Sequence, residues 1–151
     1  MSHTAFSPIS ADKFTYTTAG DPMHKALFPW KDGEPIWIDV VTGSPEMTAA
    51  QLETVNRELG WFWENFHLLE EQFGEGSELL NEKNANLFED EEAYDAETFY
   101  SMVLLEAIQL NFAQEALESV QFWYDDGDTF AGCSIMIEWK DRAIKGIEIK
   151  D

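Results

Sequence analysis

Seven large apolar residues, Leu52, Val55, Leu59, Phe62, Phe66, Leu69 and Phe73, follow one another in steps of three and four. Such spacing lines up side chains along one face of an α-helix and predicts a helix over about 47–73. Thr48 with Gln51 has the spacing of a capping box at its start, and Ser44-Pro45-Glu46 just upstream reads as an alternative start. Gly74 and Gly76 are placed to end it. From residue 107 the period falls to two. Ile108, Leu110 and Phe112 alternate with other residues, as do Val120, Phe122 and Tyr124, then Ile135, Ile137 and Trp139, and finally Ile147 and Ile149. Ile144 is out of phase, which suggests a bulge at Gly146. A chain that changes from a helical to a strand period within one short sequence has to pack helices against a sheet.

The remaining segments complete an expected order of β-β-α-α-β-β-β-β. Phe14, Tyr16 and Thr18 alternate with Thr15 and Thr17, and Ile36-Trp37-Ile38-Asp39-Val40-Val41 is a β-rich run. Gly, Pro and Asp between 20 and 35 predict a loop. A short helical piece is expected around Leu79 and Leu80, and a second helix over 95–106. Turns are expected at 114–119, 125–132 and 140–142. Residues 107–118 also permit helix, since Ala107, Leu110, Ala113 and Leu117 have helical spacing. The expectation is a single α+β domain spanning 1–151 with an irregular N-terminal arm at about 1–12. It comprises two N-terminal strands, two helices and a C-terminal antiparallel meander of three to four strands. With 44% hydrophobic residues, among them six Trp and eleven Phe, such a domain builds a core without disulfide or metal.

Charge restricts the partners. Thirty Asp and Glu against nine Lys and Arg leave −21. A surface of that sign repels nucleic acid and anionic membranes and attracts basic proteins. The same acidity also serves solubility alone. No apolar run approaches membrane-spanning length, and Met1–Phe6 lacks a charged and then apolar leader. A single cysteine, Cys133, excludes an internal disulfide and fits a reducing compartment, so the cytoplasm is expected.

Three patterns invite a chemical reading. Asp125, Asp126 and Asp128 crowd one turn and could hold a hard cation, but the glutamate that closes an EF-hand loop is missing, and Asp and Gly are ordinary turn residues. Glu138-Trp139-Lys140 after Asp126 and Asp128 has the order of a metal-dependent nuclease. Period two, however, puts Glu138 and Lys140 together on a solvent face, and the net charge opposes an approach to phosphate. Glu64 and His67 have the i, i+3 spacing of carboxylate-bridged di-metal bundles, without the second pair such sites need. Cys133 reads as a strand cysteine rather than a nucleophile. No cofactor is expected. On a helical wheel Trp61 falls opposite the Leu59/Phe62/Phe66 stripe, so it is either an exposed interface aromatic or a residue buried by a second layer.

Tyr124-Asp125-Asp126-Gly127-Asp128 followed by Phe130, Gly132 and Ile135 resembles a group of small bacterial domains of uncharacterised role. Their C-terminal strands carry a Tyr-Asp-Asp-Gly-Asp-x-Phe-x-Gly-His-x-Ile (YDDGD) pattern. The likeness covers about 107–150 and departs at Cys133, where the pattern has His. It implies an α+β fold and kinship with immunity proteins that accompany bacterial toxins. The leading expectation is therefore an acidic, non-enzymatic protein-binding module of immunity type that covers the active site of a basic toxin. Its expected contacts are Trp61, Glu89, Asp90, Glu91, Glu92, Asp125, Asp126 and Asp128. The alternatives are a metal-dependent hydrolase or nuclease using Asp126, Asp128 and Glu138, and a nucleic-acid mimic whose carboxylates imitate phosphate spacing.

Overall fold

The computed structural model describes residues 5–30, 34–85, 87, 92–130 and 132–150. Seven strands, β1 (Thr15–Thr17), β2 (Met23–Pro29), β3 (Pro35–Val41), β4 (Leu104–Ala113), β5 (Ala116–Asp125), β6 (Ser134–Lys140) and β7 (Ala143–Lys150), form one sheet in chain order. Neighbours are antiparallel except β3 and β4, which are parallel. A parallel pair cannot be closed by a hairpin. The crossover between them holds the helices α1 (Ala49–Glu64), α2 (His67–Glu70), α3 (Glu78–Ala85) and α4 (Ala96–Met102). This corrects the expected two strands, two helices and separate C-terminal meander: the N-terminal strands join the C-terminal ones in one mixed sheet. Among the described residues no helix is long and apolar enough to cross a membrane.

The strand pattern of the C-terminal half follows the alternation closely. Ile38, Ile108, Phe122, Ile137 and Ile147 are register partners in one row across β3 to β7. They share a face with Val40, Leu110, Val120 and Trp139. Helix α1 lies on this face, with the Phe62 ring at 4.9 Å from Phe122 and 5.3 Å from Trp139. Lys145 is the extra residue of β7, since Glu138 pairs with Gly146 but Trp139 with Ile144. That bulge, one residue before the expected one, restores Ile144 to the row of Trp139. At the turn to β7, Asp141 and Arg142 both have positive φ, 52° and 63°, as a two-residue hairpin of the primed type requires.

Several elements depart from the sequence reading. The stretch expected to be a loop between 20 and 35 contains β2, whose buried faces are only His24 and Ala26, too small and polar a pair to signal a strand. The helix expected over 47–73 begins at Ala49, where the capping box forms as foreseen. Thr48 Oγ1 accepts from Gln51 N at 3.0 Å, and Gln51 Oε1 accepts from Thr48 N at 2.9 Å. It stops at Glu64 because Asn65 takes the Trp61 carbonyl with both its backbone N–H and its side-chain amide. The chain resumes as α2 and a 3₁₀ turn, Glu71–Phe73, so Leu69 and Phe73 are still fully buried. Helix α4 ends at Met102, not 106, and β4 follows at once. The β4–β5 connection is only 114–115, with Gln114 at φ 56°, so 116–119 are strand.

The N-terminal arm is pinned rather than loose. Ile9 is buried and exchanges two hydrogen bonds with the Asn56 side chain, 2.7 and 3.0 Å. Phe6 packs on Phe28 and Trp63, and its ring lies where a side chain at Gly60 would begin to crowd it.

Candidate functional site

The Tyr-Asp-Asp-Gly-Asp segment is a structural loop. Asp126 is fully buried. Its Oδ1 accepts from Asp128 N, and its Oδ2 accepts from Phe130 N and Cys133 N, each at 2.9 Å. Its carbonyl accepts from Thr129 Oγ1 at 2.7 Å. A carboxylate holding three backbone N–H groups organises the turn and presents no free lone-pair array to a cation. Gly127, at φ 60°, lies so close to the end of α4 that a Cβ there would stand 1.9 Å from the Met102 carbonyl oxygen. Tyr124 is buried with its ring 4.9 Å from Phe73, and Phe130 packs on Phe99. The segment thus docks the β5–β6 loop under the α-layer. The Cys133 thiol donates to the Phe130 carbonyl at 2.9 Å.

The expected contact residues are scattered. Asp125 and Asp128 reach the surface, but Asp126 is withdrawn from it. Glu92 is exposed ahead of α4, whereas Glu89, Asp90 and Glu91 lie outside the described residues. Trp61 is half-buried. The Arg142 guanidinium lies over its ring at 5.0 Å and hydrogen-bonds Glu58 at 2.8 and 3.3 Å. The β6–β7 turn therefore packs against α1 at Trp61 and Glu58. Glu58 also holds the Arg142 pKa above its ordinary value. Glu138 faces Gln121 in the register, whereas Asp126 and Asp128 follow Asp125, which faces Ser134 four residues or roughly 13 Å farther along β5. The nuclease arrangement is therefore not assembled. Among the described residues no three His, Cys, Asp or Glu side chains are grouped to hold a metal ion. Glu64 and His67 fall on opposite sides of the break after α1.

A different surface emerges on the side of the sheet away from the helices. Leu27, Trp37, Ala107, Trp123 and Met136 are successive register partners, an apolar row across five strands that ends at Glu148 on β7. Leu27 is 58% exposed and Trp37 44% exposed. Beside it runs a polar row, Lys25, Asp39, Gln109, Gln121 and Glu138. Lys25 Nζ sits 2.7 Å from Asp39 Oδ1 and 5.1 Å from the Trp37 ring centroid. Lys150 Nζ lies 5.7 Å from the Trp123 ring and 3.0 Å from Glu148. Gln121 links Trp123 to Glu138 through 3.2 and 3.3 Å hydrogen bonds, which holds the indole in place.

At one end this face opens into a cleft of about 640 Å³ where the parallel strands β3 and β4 begin. Its walls are Trp30, Ile36, Trp37, Phe66 and Val103, with Leu104 58% exposed at the mouth. Glu34, Glu106 and Asp125 also line it, and none of the three has an ion-pair partner among the described residues. The sequence does carry a signal for this surface. Ile36-Trp37-Ile38 and Phe122-Trp123-Tyr124 are apolar at consecutive positions, so both faces of those strands are apolar. A second layer of helices would normally cover the far face, and among the described residues there is none.

Compared with known protein families, curated proteins and solved structures, the chain shows no significant match. The site therefore rests on its own geometry.

Proposed function

We propose that the protein is an acidic binding module for a basic protein, acting as immunity-type proteins do by covering a toxin's active site. The observation that carries this reading is the uncovered apolar row. Trp37 and Leu27 stand exposed at one end of that row, within a chain of charge −21. Large apolar side chains held on the strands of a strongly acidic chain suit a recognition surface. The aromatics supply buried area, and the charge speeds encounter with a cationic partner. The YDDGD resemblance points to the same class of function. On this reading the encounter takes place in the cytoplasm, where a lone thiol stays reduced.

The test is affinity capture from native lysate by the tagged protein, at low and at moderate salt, with the Leu27→Asp/Trp37→Ala double variant in parallel. One basic protein is expected to be retained stoichiometrically, released by salt and lost with the variant. Equal retention by the variant, or no specific retention by either, would sink the reading.

A further inference from the structure

We propose that the cleft at the start of β3 and β4 receives an arginine side chain of a protein partner. This rests on the protein-binding reading and names its anchor. Three observations converge. The walls present the aromatic rings of Trp30, Trp37 and Phe66. Glu34, Glu106 and Asp125 line the same space without an ion-pair partner among the described residues, so negative charge gathers over an apolar floor with no described cation against it. The indole N–H of Trp30 is buried and has no hydrogen-bond partner among the described residues.

A guanidinium answers the first two features together. It is planar, stacks on aromatic rings, is weakly hydrated for a cation, and its five N–H donors can engage two carboxylates at once. A lysine ammonium is more strongly hydrated and loses more on entering an apolar cleft. The third feature leaves one wall of the cleft with a polar group that no described residue satisfies. The same face already uses this chemistry within the chain. Lys25 stands between the Trp37 ring and Asp39, and Lys150 between the Trp123 ring and Glu148. A cation flanked by an indole and a carboxylate thus occurs twice on this face, while the cleft itself holds the rings and the acids with no cation among its described lining residues.

The experiment titrates the full chain with the blocked tripeptide acetyl-Gly-Arg-Gly-amide, following the indole N–H and backbone resonances by NMR. Its citrulline counterpart, which keeps the shape and loses the charge, is titrated alongside. The arginine peptide is expected to shift the Trp30 and Trp37 indole signals saturably. The citrulline peptide should bind about tenfold more weakly or worse. The Glu34→Gln/Glu106→Gln variant, whose folding is checked by its unchanged spectrum elsewhere, should weaken arginine binding severalfold. Equal binding of the two peptides, shifts that never saturate, or shifts centred away from the cleft would overturn the proposal. The two readings fail separately. A captured basic partner that the Glu34→Gln/Glu106→Gln variant retains in full overturns the arginine anchor and leaves the binding module standing. Saturable arginine binding without any captured partner supports the cleft assignment and removes the module reading.

Discussion

At the residue scale the most informative side chain is Asp126. Its burial would be costly for an isolated carboxylate, and three backbone N–H donors offset that cost. Replacing it by alanine leaves those donors without their acceptor inside the loop. Asp126→Ala is expected to lower stability by about 3 kcal/mol, since hydrogen bonds to a charged group are each worth about 1.5–3 kcal/mol. Urea denaturation reads this as a lower midpoint at an unchanged m-value. A loss well under about 1 kcal/mol would mean that the loop is held by Tyr124, Phe130 and Gly127 without it. Gly127 is constrained for a different reason, since its positive φ and the Met102 carbonyl both exclude a side chain.

At the scale of elements, the junction of the 3₁₀ turn, α4 and β5 is an aromatic cluster. Phe73 lies 5.7 Å from Phe99, 5.5 Å from Tyr100 and 4.9 Å from Tyr124. Burial, with a smaller effect of Glu70, pushes the Tyr100 hydroxyl up to about 12. Burial, Tyr100 and Glu70 raise Tyr124 still further. In the unfolded chain a tyrosine ionises near pH 10. Between that value and the folded one the unfolded state has released protons that the native state keeps. Stability is therefore full below about pH 10 and is lost as pH rises through 10 to 12. Thermal melts across pH 8–12 should show this fall, with tyrosinate absorbance appearing at the melt rather than before it. Tyrosinate forming before unfolding would place both rings in water. The alternation of β5 and β6 was strong enough to read directly because every second residue is buried on the helix-covered face, whereas β4 also carried a helical spacing. Strand β2 was not legible, since its inward residues are His24, Ala26 and a half-buried Phe28, flanked by Pro22 and Pro29, and its partners β1 and β3 supply the pairing instead.

At the scale of the whole molecule, a net charge of −21 on 151 residues repels itself in the compact state. The melting temperature is expected to rise between low salt and physiological ionic strength, where the screening length falls to about 8 Å. A melting temperature independent of sodium chloride would mean that local ion pairs, such as Arg142–Glu58 and Lys25–Asp39, already neutralise the important repulsions. The same salt should weaken partner capture, so stability and association are expected to respond in opposite directions.

The sequence by itself determined the helical stripe of α1, the capping box at Thr48, the alternation of the last four strands and the sign of the surface. Each of these depends on residues close together in the chain. It also announced the loop after Tyr124, though not its purpose, because a carboxylate near Gly and Asp looks the same whether it binds a cation or its own backbone. Only the tertiary structure decided that β3 and β4 lie side by side in parallel, with partners 70 residues apart from Trp37↔Ala107 to Val41↔Asn111. That pairing joins the N-terminal strands to the C-terminal ones, sends every helix to one face, and leaves Leu27, Trp37 and Trp123 on the other. The physical reason is that strand pairing is a long-range choice made by the whole hydrophobic face at once. No local period reveals which strand becomes the neighbour, or which face is left uncovered.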